Sequence, residues 1–304
     1  MEIYMKIYHY GYDRAVPCAP CVLALGFFDG VHVAHRELLE RAKKIAIDAG
    51  LPFGVFTFSS DGNVKQGVSR IYTDEEKLEL LSELGADFTV LAHFPSISGL
   101  SPDQFVREVL VRDSSARVCV VGFNFRFGKG ACGDVNDLKR IMEELGGSAV
   151  VEDEVTRGDV TVSSTLIRRL LTEGDIELAN KLLVKPYTIR GTVTHGKGAG
   201  HGLGFPTVNT DIPEVRVIPR LGVYAGKVNI NGVAYRAITN IGICPTLGER
   251  AAHAETHILD FSGDLYGEEI QISLMEFLRD ERHFDTLEAL KNQIALDIER
   301  TMKK

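Results

Sequence analysis

The fold is decided by residues 22–35, which read Val22-Leu-Ala-Leu-Gly26-Phe-Phe-Asp-Gly30-Val-His32-Val-Ala-His35. The apolar start predicts a buried strand. The residues that follow have a helical period, with one apolar face made of Leu38, Leu39, Ala42, Ile45, Ala46 and Ala49. Because a helix N-terminus offers free N–H groups and positive potential, this junction predicts a phosphate site. His32 and His35 can donate hydrogen bonds there to a nucleotide triphosphate.

Paired histidines have other uses, as helix caps, as packed core residues or as zinc ligands. A lone histidine most often has one of the first two roles. Two at i and i+3 after a glycine-rich turn favour phosphate chemistry instead. No glutamate or cysteine stands at the spacing of a metalloprotease helix or a zinc finger, so we expect phosphate binding rather than zinc binding.

The bulk composition is that of a soluble globular protein with about two domains. The chain has 304 residues, of which 44% are hydrophobic and 25% are charged. Its net charge of −8 disfavours a general affinity for nucleic acid, yet leaves room for a nucleotide held by local positive groups and Mg²⁺. No run approaches the roughly 20 apolar residues of a membrane span, and the N-terminus lacks a signal-peptide pattern. We therefore expect a cytoplasmic protein without membrane or nucleic-acid partners.

The five cysteines are scattered, and their odd number suits a reducing compartment. Cys18 and Cys21 have the spacing of a redox pair. Such a pair normally opens a helix, whereas a strand follows Cys21 here. No second pair completes a zinc site, so we assign no function to these cysteines.

Up to residue 184, apolar runs alternate with helical stretches. Strands are predicted at 53–58, 88–92, 118–121 and 149–151, and helices at 74–84, 102–110 and 135–145. This alternation predicts an α/β, Rossmann-like domain with a parallel sheet and helices on both faces. Because such sheets bind ligands beyond the carboxyl ends of their strands, His32 and the later loop 122–133 can face one site.

From residue 185 the pattern changes to consecutive strands. These are predicted at 187–194, 222–230, 233–240, 255–261 and 269–278, before a helix from Thr286 to about Met302. Asn231-Gly232 between two of them is a strong hairpin signal. We predict an antiparallel β-barrel with a terminal helix. The domains are 1–184 and 185–304, because Pro186 would end the preceding helix.

The loop 122–130 interleaves aromatic residues with glycines, Arg126 and Lys129. Such a loop can wall an aromatic ligand and meet phosphate. A hairpin with its aromatic side chains in the core would have the same sequence.

Three hydroxyl residues, Ser163, Ser164 and Thr165, precede a further apolar helix. Residues of this type are favoured helix N-caps. Together with Arg168, one turn into the helix, they can also form a phosphate clamp.

These motifs resemble the HxGH nucleotidyltransferase superfamily, and within it the adenylyltransferase module of the prokaryotic bifunctional riboflavin kinase/FAD synthetase family. The segment 73–81 also fits this family. The resemblance implies that ATP is bound by Gly26, Phe28, Asp29, Gly30, His32, His35, Ser163, Ser164, Thr165 and Arg168. It implies flavin contacts at Gly122, Asn124, Phe125 and Arg126. It also implies that His32, His35 and Arg168 are catalytic, through stabilising charge on the phosphates.

This half departs from the family pattern at four places. Ala34 replaces the usual glycine between the histidines, and its methyl group adds bulk near the phosphates. Phe27 replaces a frequent asparagine, and Asn124 stands where aspartate is common. Residues 59–62 lack the usual proline-containing sequence after the second strand. The step at risk is therefore FAD synthesis.

The stretch 191–209 is rich in glycine and carries His195, Lys197 and His201. It matches a P-loop up to Lys197, but Gly198 stands where a P-loop needs serine or threonine, and no helix follows. We expect a flexible loop that wraps phosphates rather than a P-loop.

Three oxygen-bearing side chains follow on predicted extended segments. Thr207 and Asn209 have the same parity, so both oxygens can face one Mg²⁺. Glu255 shares a strand face with His257, and its carboxylate can take a proton from a hydroxyl that attacks a phosphate. A solvated edge-strand glutamate would have the same spacing.

The second half resembles the riboflavin kinase domain of the same family, at 204–209, 222–225, 240–246, 255–257 and 265–267. The resemblance implies that ATP is bound by Gly196, Lys197, Gly198, Gly204, Pro206, Thr207 and Asn209, with Mg²⁺ on Thr207 and Asn209. It implies Glu255 as the catalytic base and Arg279 near the flavin. Val208 replaces the usual alanine, and Cys244 a common arginine.

We predict a two-domain enzyme of flavin cofactor synthesis. Its barrel phosphorylates riboflavin with MgATP to give FMN. Its first domain transfers AMP from ATP to FMN, giving FAD and pyrophosphate without a covalent enzyme intermediate. The alternatives are a riboflavin kinase with impaired or lost adenylyltransferase activity, and a non-catalytic flavin-binding regulator. We expect a monomer or a weak homo-oligomer.

Overall fold

The computed structural model describes residues 5–12, 19–62, 68–158, 160–194, 204–246 and 249–303. The chain folds into two compact units, Met1–Ser164 and Thr165–Lys304. The domain boundary predicted between residues 184 and 185 lies further along the chain. It stays a prediction about where one activity ends and the other begins.

The first unit is built on six parallel strands. They are β1 (Lys6–Tyr10), β2 (Cys21–Leu25), β3 (Phe53–Phe58), β4 (Phe88–Ala92), β5 (Ala116–Gly122) and β6 (Ser148–Glu152). Their spatial order is β1-β4-β3-β2-β5-β6. From β2 the chain winds outward through β3 and β4, then returns to β5 on the other side of β2. This reversal leaves a crevice at the carboxyl ends of β2 and β5, where sheets of this kind bind ligands.

Helices connect these strands. They are α1 (Val33–Ala49), α2 (Asp74–Glu83), α3 (Phe94–Ile97), α4 (Pro102–Gln104) and α5 (Val135–Glu144). Capping boxes start α2 at Thr73 and α5 at Asp134, where serine, threonine or aspartate is favoured. The segment Phe105–Asp113 continues α4 as a π-helix, so this helical region is longer than predicted. A two-residue hairpin, β7 (Thr156–Arg157) with β8 (Val160–Thr161), precedes the end of the unit.

The core of this unit lies on the central strands. All five residues of β2 are buried, as the apolar run 22–25 predicts. Leu23, Phe56 and Val121 belong to one buried apolar cluster with Leu138 of α5. The predicted α/β class is therefore confirmed. The edge strand β1 was missed because its alternating polar and aromatic residues carry no continuous apolar signal.

The second unit starts within α6 (Ser164–Glu173), continues with α7 (Ile176–Leu182) and ends with α8 (Leu287–Met302). Its strands are β9 (Thr188–Thr192), β10 (Val208–Asp211), β11 (Gly222–Ile230), β12 (Val233–Thr246), β13 (Glu249–Ile258) and β14 (Glu269–Arg279). They pair antiparallel in the order β10-β13-β12-β11-β14-β9. A bridge between Thr194 and Asn209 joins the two edges and nearly closes the barrel. The predicted antiparallel barrel with a terminal helix is confirmed.

Two turns of the barrel carry the local chemistry that the sequence indicates. Asn231 and Gly232 both have positive φ, 52° and 83°, as a tight hairpin between β11 and β12 requires. The next hairpin is longer than predicted, because β12 runs to Thr246 and β13 begins at Glu249. Glu255 therefore lies in the middle of a strand rather than at its start.

No helix within the described ranges is long and apolar enough to cross a membrane.

Candidate active sites

The turn between β2 and α1 has an unusual backbone. Phe28 and Val31 have positive φ, 49° and 32°, in a region that costs free energy for residues with a side chain. Gly30 has φ of 81°, and a Cβ there would lie 2.6 Å from Cδ1 of Ile71. Glycine is thus required at residue 30 by both conformation and space.

This turn is anchored through Asp29 and Phe27. One oxygen of the buried Asp29 carboxylate accepts a hydrogen bond from the N–H of Ile71 at 2.9 Å. The Asp29 carbonyl accepts from the Ser164 hydroxyl at 2.8 Å. The Thr57 hydroxyl donates to the Phe27 carbonyl at 2.9 Å. These bonds tie the turn to β3, to the segment before α2 and to the first residue of α6.

His32 and His35 form a stacked pair at the start of α1. Their ring centroids are 3.6 Å apart and their planes differ by 15°. His32 is the N-cap, and its Nδ1 accepts a hydrogen bond from the N–H of His35 at 3.3 Å. An accepting Nδ1 leaves the proton of the neutral ring on Nε2, which can therefore donate to a ligand.

Burial makes both imidazoles neutral at physiological pH. It lowers the pKa of His32 to about 4. Burial, and then the neighbouring His32, hold the pKa of His35 well below its usual range. Nδ1 of His35 is buried and has no hydrogen-bond partner among the described residues. The pair therefore offers polar N–H and N groups without a permanent charge.

The loop after β5 combines a core anchor with exposed polar groups. Phe127 is buried, and a bridge from it to Gly133 closes the loop. Phe125 stacks on Phe127 with ring centroids 5.6 Å apart. Asn124 and Arg126 are exposed. The core interpretation thus holds for the Phe127 ring, and the ligand contacts of Asn124, Phe125 and Arg126 stay a prediction. Because β5 pairs with β2, this loop and His32 both follow the carboxyl ends of adjacent strands.

An aromatic cluster at the same sheet edge was not predicted from the sequence. The ring centroid of Phe58, the last residue of β3, is 4.7 Å from that of Phe27 and 5.6 Å from that of Phe94. Phe27 is 37% exposed. The sequence signal that could have indicated this cluster is position along the strands. Phe58 ends a predicted strand, and Phe27 and Phe94 each follow one.

The remaining predicted residues of the first site lie on both sides of the boundary between the units in the chain. Ser164 binds the β2–α1 turn through its hydroxyl, as described above. Thr165 and Arg168 follow on α6, within the second unit. A shared site for Arg168 and the histidines stays a prediction.

In the second unit, strand register brings three polar residues into one row. Glu255 on β13 lies opposite Asn209 on β10 and opposite Asn240 on β12. Directly opposed residues of antiparallel strands project from the same face. Residues alternate along β13, with Ala254 and Thr256 buried and Glu255 half-exposed. The carboxylate is thus presented on the outer face beside the amide of Asn209.

Thr207 and Pro206 precede β10 next to this row. Both line a small pocket with Thr256, Asp264 and Tyr266. The carbonyl of Pro206 lies 2.7 Å from Nδ1 of His257, which holds this segment to β13. Gly204 has positive φ of 85°. The predicted loop residues Gly196, Lys197 and Gly198 lie outside the described residues.

Arg279 has a structural partner. Its guanidinium forms a salt bridge to Asp297 of α8, with a shortest N–O distance of 2.8 Å, and both side chains are largely buried. The pair fastens α8 to the end of β14. The flavin contact implied for Arg279 stays a prediction.

Within the described parts of the chain, no three histidine, cysteine, aspartate or glutamate residues lie together as a metal site. Cys21 is buried in β2, where burial raises the pKa of its thiol to about 12, and Cys18 lies outside the described residues. The oxygen donors Thr207 and Asn209 remain the candidate metal ligands.

The fold and the two polar clusters define a class of protein: a nucleotide-binding α/β unit followed by a barrel that presents a carboxylate. Comparison with known families agrees. Residues 17–166 match the FAD synthetase family, and residues 183–304 match the riboflavin kinase family.

Curated relatives carry both parts in the same order. The chain is 38% identical over 287 residues to a bifunctional riboflavin kinase/FMN adenylyltransferase of Listeria monocytogenes, covering 92% of this chain and 91% of that one. It is 34% identical to the Bacillus subtilis protein of that name, over 94% and 92% of the two chains, and 35% identical to the Escherichia coli protein, over 92% and 91%. The chain belongs to the family of bifunctional riboflavin kinases/FMN adenylyltransferases. The predicted enzyme family is thus confirmed.

A crystal structure titled as a macrolide-efflux protein from Streptococcus pneumoniae is similar over 99% of this chain and 100% of that one. The TM-score is 0.89 and the sequence identity is 27%. This similarity supports the fold over the whole length.

Proposed function

We propose that this chain carries out both reactions of its family, each at one of the two clusters. In the first unit, the stacked His32–His35 pair at the switch point of the sheet is the observation that carries the proposal. The phosphate of FMN attacks the α-phosphorus of ATP, a P–O bond to FMN forms, and pyrophosphate leaves. No group of the protein has to become covalently attached.

The histidines act in this scheme as fixed hydrogen-bond donors. The Nε2–H of His32 is assigned to a phosphate bound beyond the helix N-terminus. Preorganised donors stabilise the charge that develops on the leaving pyrophosphate. Arg168 is the cation that we assign to the same phosphates. Ser163, Ser164 and Thr165, with Gly26, Phe28, Asp29 and Gly30, complete the proposed ATP site.

In the barrel, the pairing of Glu255 with Asn209 carries the proposal. The carboxylate of Glu255 accepts the proton of the ribityl 5′-hydroxyl as that oxygen attacks the γ-phosphorus of ATP. The bond between the γ-phosphorus and ADP breaks, and FMN and ADP form. Pro206, Gly204 and the loop residues Gly196, Lys197 and Gly198 are assigned to the ATP phosphates.

Mg²⁺ fits the donor set of the barrel site. The Thr207 hydroxyl and the Asn209 amide oxygen are hard oxygen ligands. Two protein ligands are typical of Mg²⁺ that also binds substrate phosphates and water. When bound, the ion would neutralise phosphate charge during transfer. Thr207 and Asn209 would hold the ion, and Glu255 would accept the proton of the substrate hydroxyl.

Flavin contacts are assigned to Gly122, Asn124, Phe125 and Arg126 in the first unit and to Arg279 in the barrel. The exposed ring of Phe27, packed on Phe58, adds an apolar surface at the first site. We keep a cytoplasmic location, a monomer or weak homo-oligomer, and the absence of a nucleic-acid partner as parts of the proposal.

A kinase without adenylyltransferase activity is the second candidate. Ala34, Phe27 and residues 59–62 depart from the family pattern, and all lie in the first half of the chain. The His32 cap and the stacked rings are formed with Ala34 in place, which favours an active first unit. A non-catalytic regulator would have no need of a base beside the phosphate site.

The test is to incubate the purified protein with MgATP and either riboflavin or FMN, and to resolve the flavins by chromatography. FAD from both substrates supports the proposal. FMN from riboflavin, without FAD from either, selects the kinase alone. Absence of ATP turnover with either flavin selects the regulator. Loss of both products with EDTA, restored by Mg²⁺, supports the metal assignment.

A further inference from the structure

Glu255 has a neighbour that the proposed mechanism does not use. His253 lies two residues earlier on β13, on the same face of the strand. Its Nε2 is 3.6 Å from Oε1 of Glu255. The His253 side chain is 21% exposed and the Glu255 side chain is 44% exposed, so the imidazole is the more deeply placed of the two.

The surroundings of His253 hold its ring. Gly242 lies opposite it on β12, and a Cβ at Gly242 would come within 3.3 Å of Cε1 of His253. The ring therefore packs closely against the backbone of Gly242, and a larger residue there would have to displace it by a few tenths of an ångström. Two further carboxylates lie on the strands and loop next to His253 and Glu255. Asp211 lies opposite His253 on β10, and Glu281 accepts a hydrogen bond from Asn240 at 3.1 Å.

The position of the ring also decides which nitrogen carries the proton. Nδ1 of His253 is buried and finds no hydrogen-bond partner in the described part of the chain. A buried N–H without an acceptor costs free energy, whereas an N–H on Nε2 faces the Glu255 carboxylate. When the ring carries a single proton, that proton is thus on Nε2 and directed toward Glu255.

We propose that His253 is a positioning residue for the kinase base. Its Nε2–H holds Oε1 of Glu255, which leaves Oε2 to accept the proton of the substrate hydroxyl. His253 neither gains nor loses a proton in the transfer step. The distance of 3.6 Å is long for a hydrogen bond, and such contacts commonly tighten when substrate binds. This inference rests on the proposed role of Glu255.

Three substitutions separate the donor from mere packing. His253→Gln keeps an N–H near the position of Nε2, whereas His253→Asn mimics only Nδ1, and His253→Ala keeps neither. We expect kcat for riboflavin phosphorylation to fall about tenfold in the Asn and Ala variants, on the scale for losing a group that orients a functional residue. The Gln variant should stay within about threefold of the wild type, and KM for riboflavin and ATP should not change. The unchanged KM values are the control for folding of the barrel, and FAD formation from FMN is the control for the first unit.

The outcomes are distinct. An unchanged kcat in His253→Ala, an equal loss in the Gln and Asn variants, or a rise in KM alone would overturn the inference. The double variant Glu255→Gln with His253→Ala tests whether His253 acts through Glu255. If it does, His253→Ala should not lower kcat further once the carboxylate is gone. If Glu255→Gln alone retains kinase activity, the proposed base itself is wrong. If Glu255→Gln is inactive and His253→Ala is normal, only the role of His253 fails.

Discussion

The two units position the polar side chains of their candidate sites in different ways. In the first, His32 caps a helix and stacks on His35, and burial keeps both rings neutral. In the barrel, Glu255 is half-exposed in a row that crosses three strands. A parallel sheet offers helix N-termini at one edge, whereas an antiparallel barrel offers a face of alternating side chains. The first arrangement suits stabilisation of phosphate charge, and the second suits removal of a proton.

The largest effect is expected from Glu255→Gln, which keeps the shape of the side chain and removes the proposed base. FMN formation should fall roughly 10²–10⁴-fold, the usual reach of general base catalysis. FAD formation from added FMN should be normal, because the first unit has its own site. The measurement is the summed FMN and FAD made from riboflavin, with Glu269→Gln as the control on an exposed strand position. A near-normal rate would show that another group is the base.

His35→Ala is the reciprocal change in the first unit. FAD formation should fall roughly 10²–10³-fold, on the scale for losing one transition-state donor, while FMN formation is spared. His9→Ala, on the exposed face of β1, is the matched control. Equal loss of both activities would mean that the two sites are not independent.

The buried histidines also predict an acid-sensitive first unit. The pKa of His32 is about 4 in the folded chain and about 6.5 when unfolded. Between these values the unfolded chain binds more protons, so the free energy of unfolding falls as the pH drops from about 6.5 to about 4. The stabilisation is fully present above that window, and His32 contributes about 2 to 3 kcal/mol of the loss.

Denaturant unfolding of the wild type and His32→Gln, each at neutral and acidic pH, measures this contribution. The variant should lose less stability on acidification, and His9→Gln should behave as the wild type. Identical pH dependence in His32→Gln and the wild type would contradict the neutral, buried state of this ring.

The smallest effect is expected from Ala34→Gly, which restores the glycine usual in the family. Glycine inside a helix lowers stability by about 0.5–1 kcal/mol. FAD formation should change less than about threefold, because the histidine stack already forms beside Ala34. A large gain in FAD formation, with FMN formation unchanged, would show that the methyl group obstructs the phosphates.

Local signals predicted most of the architecture. The alternation of apolar runs and helices predicted the parallel sheet, and Asn231-Gly232 predicted the hairpin between β11 and β12. The predicted start of β13 at Glu255 was wrong, because the hairpin with β12 extends back to Glu249 through residues with weak strand signals. The π-helical continuation to Asp113 was missed because periodicity does not register one extra residue per turn.

The candidate sites also combine features that local sequence predicts with features that depend on tertiary contacts. Their residue types could be predicted from the motifs, and the place of His32 followed from the strand-to-helix junction. The aromatic contact of Phe58 with Phe27 and Phe94 could not be predicted, because it joins three strand ends that are distant in sequence. The salt bridge between Arg279 and Asp297 was missed for the same reason.

By itself, the sequence determined the class of each unit, the strand-to-helix junction at His32 and the identity of the polar groups, because these depend on composition and on spacing within a few residues. Only the tertiary structure decided the register that sets Glu255 between Asn209 and Asn240, and the burial that keeps His32 and His35 neutral. Register and burial arise when distant segments pack. The free energy of a charged or polar group is set by those neighbours rather than by its place in the chain.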